Sequence, residues 1–276
     1  MPPPLRLFDH HIHSDGRNAD DYELMAISGV TSVLVPCSAS NERRPSGESW
    51  AARFDRLLDT EVARAARYGI DLYVALAVHA ADIVDLSSAL GGIAELTSRL
   101  GGDRVLAVGE LSLRRFDDVE IEAFRRQLHI AVEFGLPVMV ETPPPMPEFA
   151  AMVDVLRGLL DRGGLDPSQL CLLDLDRDKV RLVTDLQVGA YGLPVSPALD
   201  GLFCIRRKLT HLEVIAILEE HGPDRLMLNT GFHFGSADPL GLAKTVHRLR
   251  LAGVSESILQ AIGHDNAAGF FRLPRR

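Results

Sequence analysis

Apolar residues recur along the chain in short runs that alternate with longer amphipathic segments. There are eight such runs, and most are rich in Val, Leu and Ile on both faces, which is typical of parallel strands that are covered on both sides. These predicted strands span residues 5–13, 30–37, 70–78, 104–111, 136–142, 169–175, 186–192 and 224–230. The segments between and after them have helical periodicity and span residues 20–28, 49–68, 82–100, 117–135, 147–163, 177–185, 210–222 and 238–252.

This alternation predicts a single (β/α)8 barrel. Eight strand–helix units in 276 residues match the usual size of that fold, which is about 250 residues. An open doubly wound sheet is the alternative, but no glycine-rich GxGxxG motif follows the first strand. No segment has the composition of a linker, so we expect one domain over residues 1–276.

The net charge and the cysteines indicate which kinds of binding partner and which cellular compartment to expect. The chain has 29 Lys and Arg against 38 Asp and Glu, a net charge of −9, which disfavours nucleic acid as a partner. No apolar run approaches the roughly 18 residues of a membrane span, so no membrane association is expected. Cys37, Cys171 and Cys204 are odd in number and widely spaced. They predict reduced, buried thiols in a cytoplasmic protein.

Histidine is concentrated in "LFDHHIHSD", residues 7–15, at the end of the first predicted strand. Side chains alternate between the two faces of a strand, so Asp9, His11 and His13 are predicted to share the face that points into the barrel mouth. Two imidazoles at this spacing can chelate one metal ion. A solvated turn with incidental histidines is the alternative interpretation.

Other predicted strands also end in residues with metal-binding or acid–base chemistry. Glu110 and Glu141 close the fourth and fifth apolar runs, His79 closes the third, and His233 follows the eighth. Each alone is compatible with a solvent-exposed strand end. Together they predict a functional site at the carboxyl ends of the strands, where barrel enzymes build their sites. The remaining histidines are scattered, and we expect structural or surface roles for them.

These motifs resemble those of the TatD-like metal-dependent hydrolases of the amidohydrolase superfamily. "DHHIH" resembles the family's D-x-H-x-H, "AVHAAD" around His79 its G-V-H-P, and "AVGELSL" around Glu110 its G-E-x-G-L-D. The helix and strand in "FRRQLHIAVEFGLPVMVE" and the closing "NAAGFF" are also similar. Within the family, "DDYELMAISGV", "GSADPLGLAKTV" and "RRKLT" are most similar to proteins encoded in bacterial ebo-type gene clusters.

The resemblance implies a divalent metal centre in which the HxH pair binds one ion and the fourth-strand Glu commonly bridges two. His11, His13 and Glu110 match the family's residues. Three further ligand positions do not: Glu141 replaces a histidine, Leu175 stands where the sixth-strand histidine is expected, and His233 replaces the eighth-strand aspartate. In addition, Arg114 replaces the aspartate that follows the fourth strand.

The sequence therefore predicts a rebuilt centre that holds one or two divalent ions. The predicted ligands are His11, His13, Glu110, Glu141 and His233. This nitrogen and oxygen donor set suits zinc, manganese or iron. Glu110, Glu141 and His233 are also the predicted catalytic residues, and the last two are the candidates for a general base. Two close carboxylates repel each other, so we expect a cation between Glu110 and Glu141.

Three functions remain open at this stage. The first is hydrolysis of a small molecule by metal-activated water, in a biosynthetic or metabolic pathway. The second is redox or oxygen chemistry by a non-haem iron or manganese centre. The third is a non-catalytic binding or scaffold role. His79 and Arg114 are the predicted substrate-binding residues, and the guanidinium of Arg114 favours an anionic substrate. A DNA nuclease is disfavoured by the acidic charge balance.

Overall fold

The computed structural model describes residues 5–39, 44, 46–161, 165–196, 208–231 and 238–274. Eight parallel strands follow one another in sequence order in a single sheet. They are β1 (Leu7–Asp9), β2 (Val30–Pro36), β3 (Asp71–Leu76), β4 (Val105–Leu111), β5 (Val138–Val140), β6 (Leu170–Leu172), β7 (Ala190–Pro194) and β8 (Leu226–Asn229). Directly after β8, Thr230 bonds to Asp9 at the end of β1, and Gly231 bonds to His11 in the segment that follows. The nearly closed sheet confirms the predicted (β/α)8 barrel.

Helices connect the strands and cover the outside of the barrel. They are α1 (Asp20–Ile27), α2 (Gly47–Asp55), α3 (Val62–Ala66), α4 (Leu86–Thr97), α5 (Asp118–Glu133), α6 (Met146–Asp161), α7 (Arg177–Val183), α8 (His211–His221), α9 (Gly241–Leu251), α10 (Glu256–Gln260) and α11 (Asn266–Phe270). Helices α2 and α3 are continuous through the π-helical segment Arg56–Glu61, and α10 and α11 through Ala261–Asp265. None of the helices in the described part of the chain is long and apolar enough to cross a membrane.

The observed strands are mostly shorter than the predicted ones, and two of the differences have clear local reasons. Strand β7 begins at Ala190 instead of residue 186, because residues 184–186 form a 3-10 turn and Gln187 adopts a left-handed conformation with φ 55°. Strand β1 is short and ends at Asp9, so the histidines at 11 and 13 lie in the segment that follows it. The helix start at Thr210 agrees with the capping pattern in the sequence: Thr210 and Glu213 form a capping box.

The apolar residues on the two faces of the strands form two cores. The smaller core fills the barrel and takes residues from all eight strands, including Phe8, Leu34, Met139 and Met227. The larger core lies between the barrel and the helices. This arrangement is the physical reason why the strands are apolar on both faces. Cys37 and Cys171 are buried free thiols, as predicted, and Cys204 lies outside the described residues.

Candidate metal centre

His11, His13 and Glu110 form a buried cluster at the carboxyl ends of β1 and β4. The two Nε2 atoms are 3.1 Å apart. Glu110 places Oε1 3.4 Å from His11 Nε2 and Oε2 3.7 Å from His13 Nε2. One ligand atom from each residue lies within 4.8 Å of the other two. The structure therefore brings together three of the five predicted metal ligands, from positions about 100 residues apart in the sequence.

The route by which the two histidines reach the cluster differs from the predicted one. Phe8 belongs to the core inside the barrel, and both Phe8 and His10 contact the ring of Phe271. The inward face of β1 therefore carries the even-numbered side chains, and the prediction that strand alternation points Asp9, His11 and His13 together into the mouth was wrong in this detail. The chain leaves the strand after Asp9, and the following segment turns the two histidines toward Glu110.

Asp9 connects the first strand, β1, to the segment that follows the last strand, β8. Its Oδ2 accepts a hydrogen bond from Thr230 Oγ1 at 2.6 Å, and its Oδ1 accepts one from the backbone N–H of Thr230 at 3.1 Å. Burial raises the pKa of Asp9 to about 6, although the Thr230 bonds act against this rise. Its neighbour His10 is also completely buried, and burial lowers the pKa of His10 to about 3, so this imidazole is neutral.

Glu110 belongs to β4, and the residue before it, Gly109, packs closely against β5. A Cβ atom on Gly109 would lie 2.6 Å from Cβ of Met139, a distance that no side chain tolerates. Glycine at this position lets β4 and β5 pack at their ends, and the next residue, Glu110, projects to the cluster. The carboxylate is only 3% exposed, so it needs a cation or hydrogen-bond donors nearby.

A group of arginines on the α2–α3 helix holds the turn directly after His13. Arg53 donates to Asp15 Oδ2 at 2.6 Å, and both side chains are buried. Arg56 donates to the carbonyl of Asp15 at 2.9 Å, and Arg64 donates to the carbonyl of Arg17 at 2.6 Å. These bonds fix residues 14–17, and through them the position of His13.

Glu141 lies at the same barrel end, after β5, where its carboxylate contacts nitrogen donors of two side chains. His79 Nε2 is 3.0 Å from Glu141 Oε2, and Arg114 NH2 is 3.2 Å from Oε1. Glu141 is therefore compensated by nearby side chains, which removes the charge argument for a metal ion between Glu110 and Glu141. Whether Glu141 also binds metal stays a prediction.

The tautomer of His79 follows from its hydrogen bonds. Its Nδ1 accepts the backbone N–H of Ala81 at 3.1 Å, so in the neutral imidazole Nε2 carries the proton. That proton points toward Glu141 and toward Ser112 Oγ, which is 3.1 Å from Nε2. Gln127 of α5 fixes the preceding residue by bonding both backbone groups of Val78 at 2.7 and 3.1 Å.

Arg114 is presented to Glu141 by a loop that a second buried carboxylate organises. Glu120 Oε2 accepts the backbone N–H groups of Arg114, Arg115 and Phe116 at 2.9, 2.7 and 3.1 Å. The Arg114 side chain is 45% exposed, so it reaches both Glu141 and the solvent of the mouth. His79 is completely buried behind it.

The end of β6 contributes an acid that the sequence analysis missed. Leu175, which stands at the position of the expected histidine, is buried in the larger apolar core and faces away from the cluster. The polar residue at this strand end is Asp174, which is 8% exposed and has a left-handed backbone with φ 55°. The aspartate at the end of "QLCLLD" was the available signal, but the resemblance to the family placed the expected ligand position at Leu175.

A buried lysine connects the loops that follow β5 and β6. Lys179 Nζ donates to Pro143 O at 2.7 Å, to Asp174 O at 3.3 Å and to Thr142 Oγ1 at 3.3 Å. The ammonium also lies 5.2 Å from the ring centroid of Phe149. Burial lowers the pKa of Lys179. Asp174, Lys179 and Thr142 line a small cavity of about 50 Å³.

Five of the remaining histidines lie on helices or pack in the interior, away from the cluster of His11, His13 and Glu110. His129 is exposed on α5 and pairs with Glu133, His211 and His221 lie at the two ends of α8, and His247 lies on α9. His264 packs beside Phe8 and contacts Asp265. His233 lies outside the described residues, so its predicted role as a metal ligand and catalytic residue stays a prediction.

The cluster of His11, His13 and Glu110 fits a divalent ion. Two imidazole nitrogens and a carboxylate oxygen converge in a buried space where, without a cation, they would lie against one another. Zinc, manganese and iron all accept this donor set. A buried three-residue centre at the carboxyl ends of barrel strands is the arrangement of a metal-dependent barrel enzyme.

Comparison with known proteins points to the same class. The chain is 28% identical over 268 residues to an uncharacterized metal-dependent hydrolase of Methanocaldococcus jannaschii, covering 97% of this chain and 100% of that protein. The TatD-like protein of Archaeoglobus fulgidus has a similar structure, with a TM-score of 0.73 and 19% identity, over 96% of this chain and 100% of that one. No family model matches the sequence.

Some more distant structures with the same fold belong to proteins with other activities. A dihydroxybenzoic acid decarboxylase of Polaromonas, solved with bound manganese and an inhibitor, matches with a TM-score of 0.61 and 14% identity over 99% of this chain and 98% of that one. Taken together, the comparisons confirm the resemblance to TatD-like metal-dependent hydrolases. The closer similarity to the ebo-type subgroup stays a prediction.

Proposed function

We propose that this protein is a metal-dependent hydrolase that acts on a small molecule. The observation that carries the proposal is the convergence of His11, His13 and Glu110 in one buried cluster. The name of the Methanocaldococcus relative supports the same activity. The fold alone does not define the reaction, because its structural neighbours include a decarboxylase.

The proposed ion is zinc, manganese or iron(II), held by His11, His13 and Glu110. When bound, such an ion acts as a Lewis acid and lowers the pKa of water, which supplies the nucleophile for hydrolysis. Three protein ligands leave coordination positions open for water and substrate. Glu141 and His233 are the further ligands and catalytic residues proposed from the sequence, and a second ion would require them.

The remaining proposed roles concern the substrate. Arg114 extends from the loop after β4 into the mouth and is held there by Glu141, where it would contact an anionic group of the substrate. His79 lies behind Glu141 and acts on the substrate through that carboxylate. The free thiols Cys37 and Cys171 support the proposed cytoplasmic location, where such thiols stay reduced.

The proposal is tested by metal analysis and turnover on the same preparations. Protein purified without added metal is analysed for zinc, manganese and iron, before and after treatment with a chelator. It is then assayed with 4-nitrophenyl acetate, bis(4-nitrophenyl) phosphate and 4-nitroacetanilide, which represent ester, phosphodiester and amide bonds. We expect a stoichiometric divalent ion and turnover of one probe that the chelator abolishes and the ion restores.

Ligand variants separate the metal centre from general effects of losing a histidine. His11→Ala and His13→Ala should lose the ion, whereas the exposed His129→Ala should keep it. Metal content in Glu141→Gln and His233→Ala tests the two additional ligands. Oxygen consumption by the loaded protein would favour redox chemistry over hydrolysis. Absence of metal from the parent protein would contradict the proposal and favour a binding or scaffold role.

A further inference from the structure

Asp174 has a backbone conformation that a residue with a side chain rarely adopts. Its φ is 55°, in the left-handed region, which residues other than glycine, asparagine and aspartate seldom adopt. Such conformations persist where the surroundings hold them, and they cluster at functional sites. Here Lys179 holds the segment by donating to the carbonyl of Asp174 at 3.3 Å.

The Asp174 side chain lies beside Gly231, in the segment that follows β8 and contacts His11. A Cβ on Gly231 would lie 3.8 Å from Asp174 Oδ1, and the N–H of Gly231 donates to the carbonyl of His11 at 2.9 Å. Gly231 therefore contacts the His11 segment on one side and lies next to the Asp174 carboxylate on the other. Its carboxylate also interacts electrostatically with both His11 and Glu110.

Asp174 nevertheless lies outside the ligand cluster itself. Among the described residues, only His11, His13 and Glu110 bring ligand atoms within 4.8 Å of one another, the spacing that ligands of one ion require. A carboxylate that lies next to the His11 segment without joining the ligand cluster is placed to contact what the ion binds. Asp174 also borders the small cavity beside Thr142 and Lys179, which provides space next to it.

We propose that Asp174 is a catalytic carboxylate of this centre and accepts the proton of the attacking water. The inference rests on the proposed hydrolytic function. The water oxygen forms a bond to the electrophilic atom of the scissile bond, and its proton passes to a carboxylate oxygen of Asp174. The scissile bond then breaks, its electron pair leaves with the leaving group, and Asp174 returns the proton to that group. Water and the substrate are thereby converted to two products, with no oxidant or reductant.

The direction of the pKa shift of Asp174 agrees with this role. Burial raises its pKa, as does Glu110, while His11, Lys208 and Lys179 act in the opposite direction. A carboxylate with a raised pKa is a better proton acceptor than an exposed one.

Two substitutions remove the carboxylate without disturbing the backbone. Asparagine tolerates the left-handed region and keeps the shape of aspartate, and glycine adopts that region freely. Asp174→Asn and Asp174→Gly are compared with Asp176→Asn as the matched control. Asp176 lines the same cavity, and its side chain caps α7 by accepting the N–H of Lys179 at 3.0 Å, a role that asparagine performs equally well.

Each variant is measured for Mn²⁺ affinity by calorimetry and for turnover of the active probe at saturating metal. We expect Asp174→Asn to lower kcat by about 10²–10⁴-fold, the usual contribution of a general base, and Mn²⁺ affinity by roughly 10-fold, as for other residues around a metal centre. Added formate should partly restore turnover to Asp174→Gly. A merely structural role would not produce this rescue. Asp176→Asn should match the parent in every measurement.

The outcomes distinguish this inference from the proposed function. If the parent binds metal and turns over a probe, but Asp174→Asn keeps kcat within about threefold, Asp174 is not the proton acceptor. If the parent binds no metal, the proposed function fails and the inference fails with it. If the parent binds metal but cleaves no probe, hydrolysis is contradicted, and equal Mn²⁺ affinity in parent and Asp174→Asn would remove Asp174 from the centre.

Discussion

His79 directs its Nε2 proton to the carboxylate of Glu141, 3.0 Å away. The direction is fixed because Nδ1 accepts the backbone N–H of Ala81. Arg114 donates to the other oxygen of the same carboxylate. Glu141 is therefore oriented from two sides, and Arg114 is held at the rim by an anion. An effect of Arg114 on the substrate has to be separated from its effect on Glu141.

The first prediction concerns that separation. Arg114→Ala should raise KM for the substrate, because the guanidinium that would pair with an anionic group is lost. The same KM increase should appear when Arg114→Ala is introduced into Glu141→Gln. Steady-state kinetics of the parent, the two single variants and the double variant give the coupling between the two residues.

The cycle also shows what would contradict a direct role in substrate binding. If the double variant has the same kinetics as Glu141→Gln alone, Arg114 acts only by holding Glu141. Unchanged KM and kcat in Arg114→Ala would remove Arg114 from the site altogether. Arg115→Ala is the control, because Arg115 is the next residue of the loop and pairs with Asp117 and Glu120 instead.

The second prediction concerns the turn after His13. Asp15→Asn and Arg53→Met should each lower affinity for Mn²⁺ by roughly 10-fold, since groups that orient metal ligands typically contribute this much. Arg53→Lys should recover part of the loss by keeping the charge. The variants are compared by calorimetric titration with the metal, at temperatures where circular dichroism shows the native fold.

A surface ion pair that involves the same helix provides the control for this prediction. Arg99 donates to Asp55 at 2.7 Å, and Asp55 is 50% exposed. Exposed pairs of this kind contribute about 0–1 kcal/mol, so Arg99→Gln should leave Mn²⁺ affinity unchanged. Equal affinities in Asp15→Asn, Arg53→Met and the parent would show that the buried pair stabilises the fold without positioning His13.

The sequence predicted the barrel well because that prediction depends on a repeated local pattern. Strand and helix periodicity recurs eight times, and the apolar runs match strands that are covered on both faces. His11, His13 and Glu110 were also predictable, since each follows or ends an apolar run. Asp174 was not, because the resemblance placed the expected ligand at Leu175, and nothing in the sequence indicates the left-handed backbone of Asp174 that leaves Leu175 in the outer core. The contacts of Glu141 with His79 and Arg114 were also not predicted, because these residues are far apart in the sequence and come together only in the fold.

The third prediction concerns the buried lysine. Lys179→Met should lower the free energy of unfolding by about 1–3 kcal/mol, because the carbonyls of Pro143 and Asp174 lose their ammonium donor. The pKa of Lys179 is lowered in the fold by burial, so the unfolded chain binds this proton at higher pH than the folded protein. The free energy of unfolding of the parent should therefore increase, relative to that of Lys179→Met, as the pH rises toward the ordinary lysine pKa of about 10.4.

Urea unfolding of both proteins at several pH values measures this difference. Lys244→Met is a suitable control, since Lys244 is about half exposed and pairs with Asp238 on the surface. Its stability difference from the parent should be small and should not change with pH in the same way. A constant difference between the parent and Lys179→Met across the pH range would contradict the depressed pKa.

The last prediction concerns the glycine that brings Glu110 to the histidines. Gly109→Ala would place a Cβ 2.6 Å from Cβ of Met139 and 3.1 Å from its carbonyl oxygen. Because these neighbours belong to β5 and are not a flexible side-chain end, β4 must move away and carry Glu110 with it. We therefore expect Gly109→Ala to lower the free energy of unfolding by about 1–3 kcal/mol and to lose most of its Mn²⁺ affinity.

Gly158→Ala is the matched control, because a Cβ there meets no atom within 4 Å and alanine favours the α6 helix by about 1 kcal/mol. A folded Gly109→Ala variant that binds Mn²⁺ as tightly as the parent would show that the centre tolerates a shift of β4, and that Glu110 is not held in place by this contact.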